Sequence, residues 1–195
     1  MKNQITFSQY RTIDLSILMA MLAFSQFLIH LATSFWFPDQ LYVVSPVAGV
    51  TALVMMRWSG YAAIHACLGG LLFTWLSGGG FDQYAIYGVG NLLALVMLVE
   101  FRIFGKEKIR KDAFLSVTFA LGTQLLMQLG RAGIAALLGH PADVCIRFIT
   151  TDVLSCLFTA VIIWIVRRVE GLFEDQKLYL LRIQQEQTVE RGEQF

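Results

Sequence analysis

Six apolar stretches, parted by short polar turns, set the pattern of this chain: residues 13–36, 41–56, 61–76, 84–101, 113–138 and 148–166. Each reads as a membrane-crossing helix, and the pattern predicts an all-α membrane protein with six transmembrane helices. The fifth stretch, AFLSVTFALGTQLLMQLGRAGIAALL, is apolar except for small residues and one polar stripe. A helix turns about 100° per residue, so Gln124, Gln128 and Arg131 fall within roughly 60° of one another on one face. An arginine at that depth costs at least about 2.5–3.5 kcal/mol, so it needs a partner or a purpose. The second and third stretches are short, ~24 Å as helices against ~30 Å of hydrocarbon. They also carry Pro46 and the Gly69-Gly70 pair. Irregular backbone at membrane depth is tolerated only where protein buries it or a wet cavity lines it.

Composition supports the membrane reading. Of 195 residues 56% are hydrophobic and only 15% charged, whereas a soluble domain carries about 25% charge. The net charge of +1 gives no support for nucleic-acid binding. Its distribution says more than its sum. With both termini inside, the inner segments hold Lys2, Arg11, Arg57, Arg102, Lys106, Lys108, Arg110, Lys111, Arg167, Arg168, Lys177, Arg182 and Arg191, thirteen of the 15 basic residues. The outer turns hold Asp39, Asp82 and Asp143 instead. The positive-inside rule therefore predicts cytosolic termini in the cell (cytoplasmic) membrane. The polar start MKNQITFSQYRTIDL has no short apolar core with a small-residue cleavage site, so no signal peptide is expected. Cys67, Cys145 and Cys156 show no CxxC spacing, and neither a disulfide framework nor a metal site is expected. HExxH, GxSxG and P-loop patterns are missing from the sequence, so no catalytic residue, metal or cofactor is assigned and the chain is read as a non-enzyme.

Counting from the outer end of each helix puts Arg131 and Asn91 ~10 Å down, His30 ~9 Å and Asp152 ~6 Å. Tyr84, Tyr87 and Asn91 share one face of the fourth helix, and Gln26 and His30 one face of the first. Trp36, Tyr42, Trp75, Phe81, Tyr84 and Tyr87 crowd the same level. Two readings stand for these rings: an interfacial aromatic belt, or the wall of a pocket that stacks a flat ligand. Two also stand for Arg131: an internal ion pair with Asp152, or a polar wall facing a small-molecule cavity. Convergence of four helices on one level predicts substrate contacts from Arg131, Gln128, Asn91, His30 and Asp152, with rings from Tyr84, Tyr87 and Trp75. Paired hydrogen bonds from Arg131 would favour a carboxylate or other anion.

Six spans in about 200 residues, both ends cytosolic and no ATPase of its own: in these the chain resembles the substrate-binding S component of energy-coupling factor (ECF) transporters. The resemblance covers residues 13–166 and includes the glycine-bearing centre, Ser45-Pro46 through MMRWSGYAAIHACLGG, and YGVGN ending at Asn91. In that family a small-xxx-small pattern on the first helix packs on a transmembrane coupling subunit. Ser16 and Ala20 resemble it, with serine where the family has alanine. The resemblance implies a vitamin-like small-molecule substrate bound near the outer face, and an ECF module of one coupling subunit and two ATPases as partner. FPDQ, SGGGFDQ and GHPADVCIR become candidate lids, with Gly78 to Gly80 as a hinge. The family's nickel and cobalt members carry an N-terminal histidine motif. Here no histidine precedes His30, which argues against metal as the solute.

Residues 1–168 are thus assigned to a transmembrane substrate-binding domain and 169–195 to a cytosolic helical tail. The tail is read as one helix from Val169, either amphipathic and lying on the cytosolic leaflet or pairing as a coiled coil. Heptad spacings join Val169 to Gln176, Leu172 to Tyr179 and Phe173 to Leu180. The coiled-coil option makes the chain a membrane sensor, and a third option is a scaffold subunit of a larger assembly.

Overall fold

A computed structural model describes residues 6–36 and 44–192, without the side chains of 36 and 187–192. The turn at 37–40 with its Pro38, the Tyr42 ring and the start of the second predicted span lie outside the described residues. Everything described is helix, turn or coil, with no strand among those residues.

The molecule is built around one of its shortest long-range elements. In α2 (Val47–Trp58) all 12 residues but Val50 are buried. Small and flexible side chains, Ala48, Gly49, Ala52, Met55 and Met56, let α1 (Phe7–Trp36), α3 (Ala62–Leu76), α7 (Ala113–Leu137) and α9 (Val153–Val166) close around it. Between α3 and α7 come α4 (Phe81–Gly90), a tight 3₁₀ stretch Asn91–Val99, α5 (Glu100–Ile103) and α6 (Lys106–Lys111). Then α8 (Ala142–Thr150) leads into α9, and α10 (Gln176–Gly192) ends the described chain.

Five segments are long and apolar enough to cross a membrane: Phe7–Phe35, Val47–Leu76, Phe81–Ile103, Ala113–Leu137 and Ala142–Val166. Large apolar side chains on α1, among them Ile17, Met21, Phe24 and Phe35, stand exposed, as expected where acyl chains replace a protein neighbour. The second segment is not one rod. Ser59 takes a positive φ of 51°, and the chain doubles back there through a 3₁₀ turn, Ser59–Tyr61. A methyl placed on Gly69 would stand 3.0 Å from Val47 Cγ1, so residues on opposite sides of that turn lie against each other. The segment is therefore a hairpin, its 12- and 15-residue arms spanning only ~18 and ~22 Å.

Three expectations change. Helix begins at Ala142, inside the predicted outer turn, because Pro141 starts it and Asp143 sits in its first turn. That helix then breaks at Thr151–Asp152, so the last crossing is α8 plus α9 rather than a single rod from Phe148. The tail is not helical from Val169. Residues 167–174 form turns and bends, with Gly171 at φ 74°, and α10 starts only at Gln176. Arg57 holds this turn by donating to the Gly171 and Leu172 carbonyls at 2.7 and 2.9 Å. The heptad pairs straddle that turn and do not share one helix.

Arg57 also anchors α1. Its Nε and Nη2 donate to the two oxygens of Asp14 at 2.9 and 2.6 Å, and Trp58 Nε1 donates to Asp14 at 2.5 Å. Tyr10 donates to Gln176 at 2.9 Å, and Lys106 pairs with Asp175 and Arg110 with Glu174. Beside them Arg110 hydrogen bonds hold the Glu107 carboxyl below its usual range. The start of α1, the hairpin turn and the start of the tail are thus tied together at one end.

Candidate functional site

The opposite end is assembled by a glycine crossing. At the contact of α4 with α7, a methyl on Gly130 would overlap the Gly90 carbonyl oxygen, and one on Gly90 would lie 2.7 Å from the Arg131 amide nitrogen. Only glycine lets the two backbones approach so closely. The residues that follow each glycine, Asn91 and Arg131, therefore meet: Arg131 Nε donates to Asn91 Oδ1 at 2.7 Å. Asn91 is held in turn by donating its Nδ2 to the Ala66 carbonyl of α3 at 3.0 Å.

The polar stripe of α7 faces inward as its spacing predicts, with Gln124, Gln128 and Arg131 only 1%, 2% and 4% exposed. Asp152 comes from the break between α8 and α9. It accepts from Arg131 Nη1 at 3.2 Å and from Gln124 Nε2 at 2.5 Å. Its place just before α9 also puts its negative charge at the positive end of that helix. The Arg131 guanidinium lies 4.8 Å from the Tyr87 ring centroid, and Tyr87 packs on Phe73 at 4.9 Å and edge-on to Phe148 at 5.9 Å. Gln128 points a step deeper, with Nε2 3.8 Å from Cys156 Sγ.

Two small cavities adjoin this cluster. The first, about 60 Å³, is lined by Ser45, Phe73, Tyr87, Arg131, Phe148, Thr151 and Asp152. The second, about 90 Å³, is lined by Gln26, Ile29, His30, Thr33, Val44, Phe73, Leu76 and Ser77. Phe73 belongs to both walls.

Of the residues expected in one site, Arg131, Asn91, Asp152 and Tyr87 come together, and the Arg131–Asp152 ion pair forms beside a cavity that Arg131 also lines. His30 sits in the neighbouring cavity. Tyr84 is half-buried and lines neither, and Trp75 is 67% exposed on the outer face of α3. Ser45, Phe73, Phe148 and Thr151 were missed. Phe148 opens the sixth apolar stretch, and neither it nor Phe73 carries a polar atom to mark it. Ser16 and Ala20 are exposed along an open groove of about 570 Å³ between α1 and α3, whose walls include Arg11, Tyr61 and His65. His65 itself is buried, with Nε2 3.1 Å from the Leu15 carbonyl.

A guanidinium has five N–H donors, and among the described residues two of those on Arg131 reach a side-chain acceptor. Arg131 also lines the first cavity. Chemically the site offers directed donors, one carboxylate and aromatic faces, with the arginine and aspartate charges cancelling. No protein-family model matches this chain, and no curated protein or solved structure matches it either.

Proposed function

We propose that this chain is a multi-pass membrane protein that captures a small organic solute at the Arg131 end, in the manner of an ECF transporter S component. The observation that carries the reading is a buried arginine held by Asn91 and Asp152 with donors left over at a cavity wall. A purely structural pair gains nothing from such a hollow, because a void forfeits packing contacts.

In this reading the two arms of the α2–α3 hairpin are short spans. Six crossings then leave both termini cytosolic, as the basic residues require. The tail and the Arg57 network face the cytosol, and the Arg131 site opens outward. The exposed Ser16–Ala20 strip on α1 is the proposed contact with a transmembrane coupling subunit, driven by two ATPases. A sensor subunit is the alternative. It draws on the grip of Arg57 on the Gly171 and Leu172 carbonyls, which links a core helix to the tail; co-purification with a kinase or cyclase instead of ATPases would favour it.

The test is thermal stabilisation of the purified full chain by a broad vitamin and precursor panel. A ligand at 100 times its Kd adds about 2.7 kcal/mol. One or more compounds should raise the melting temperature, and Arg131→Gln should remove the shift while leaving a folded protein. A panel with no hit, or a hit untouched by Arg131→Gln, overturns the proposal.

A further inference from the structure

The geometry points to a more specific solute, an inference that rests on the solute-capture reading and narrows it. We infer that the two cavities are halves of one site parted by Phe73, and that the site takes an electrically neutral, single-ring molecule bearing a hydrogen-bond acceptor at one edge and a donor at the other.

Three observations carry it. The first is size. Neither cavity alone, about 60 and about 90 Å³, has room for a ring. Both border the Phe73 side chain, and the adjacent residues Val44 and Ser45 line one cavity each. The partition is therefore one aromatic side chain and a short piece of chain. Rotation of Phe73 joins the two spaces into a hollow comparable with the ~150 Å³ cavity known to admit benzene. Tyr87 and Phe148 then offer ring faces to a flat guest.

The second observation is charge. Asp152 already balances Arg131 at 3.2 Å. A carboxylate guest would leave this enclosed cluster with one uncompensated negative charge, and an ammonium guest with one positive. Either is expensive in a setting of low dielectric. An uncharged acceptor, such as a carbonyl or ring nitrogen, uses the spare guanidinium N–H groups without that cost.

The third is an orphaned acceptor at the far side. Gln26 is 3% exposed and lines the second cavity. Its Nε2 donates to the Gly69 carbonyl at 3.1 Å. Its Oε1 is buried with no hydrogen-bond partner among the described residues. A buried carbonyl oxygen without a donor is costly, and a guest N–H or O–H reaching across the ring relieves it. Donors at Arg131 and an acceptor at Gln26 thus set the polarity of the guest from one end to the other.

The experiment uses the full chain in nanodiscs with three isosteric pairs: nicotinamide and nicotinate, benzamide and benzoate, 3-(hydroxymethyl)pyridine and 3-(aminomethyl)pyridine. Melting shifts and calorimetric titration give the affinities. At least one neutral member should bind at least about tenfold tighter than its charged partner. Gln26→Leu should weaken it, and Phe73→Trp, which fills the partition, should abolish it. Phe73→Ala keeps the result interpretable should the tryptophan variant fold poorly: it should retain the one-ring guest and newly admit quinoline-3-carboxamide. Tighter binding of a charged member, no neutral member bound, or indifference to both Phe73 changes overturns the inference. If it falls while the wider panel still yields an Arg131-dependent hit, solute capture survives; a wholly silent panel removes both.

Discussion

Two buried arginine–aspartate pairs sit at opposite ends of the molecule, and they are built differently. At one end Arg57 makes four hydrogen bonds, two to the two Asp14 oxygens and two to backbone carbonyls, with Trp58 adding a third donor to the same carboxylate. At the other, Arg131 makes a single bond to one Asp152 oxygen, at 3.2 Å, and one to Asn91. Arg131 also lines a hollow, and its guanidinium lies over the Tyr87 ring. The same pair of residue types thus serves as a rivet in one place and an open binding surface in the other. What separates them is not burial, since Arg57 and Arg131 are 5% and 4% exposed, but how many donors the protein itself satisfies.

The largest effect that checks this contrast is at the rivet. Asp14→Ala strands the Arg57 charge and should destabilise the protein by about 3–5 kcal/mol, read as a fall in melting temperature in nanodiscs. Next comes the crossing that places Arg131. Gly130→Ala drives a methyl into the Gly90 carbonyl and should cost about 1–3 kcal/mol, with solute binding lost in step because Asn91 and Arg131 separate. Full stability and binding in that variant would remove the crossing from the account. The smallest change is expected for Asp152→Asn, about 1 kcal/mol, because water entering the cavity can solvate the freed guanidinium. Its effect on selectivity should be larger than on stability: an unbalanced Arg131 should turn the preference from nicotinamide toward nicotinate. A cost matching that of Asp14→Ala would show that both pairs are rivets.

Much of this site was readable from spacing alone. The i, i+4, i+7 stripe on the fifth apolar stretch fixed the face of Gln124, Gln128 and Arg131, and residue counting put Asn91 at the depth of Arg131. Counting measures depth but not the angle around the bundle. His30 therefore fell into a neighbouring cavity, and Trp75, at a suitable level, turned outward. The tail misled for a related reason: its heptad spacing is sound, but the captured carbonyls after Gly171 end any helix before Gln176.

By itself, the sequence determined the all-helical class, the presence of several helices long and apolar enough to cross a membrane, and which face of the Arg131 helix turns inward, because these follow from local hydrophobic period and from the cost of polar groups in hydrocarbon. Gly90 stands within YGVGN and Gly130 within the fifth stretch, with nothing local to say that they touch. Only the tertiary structure decided that these glycines cross, that the last helical stretch breaks at Thr151–Asp152, and that Phe73 stands between two hollows. Those outcomes depend on contacts between residues far apart in the chain, whose energies no local pattern encodes.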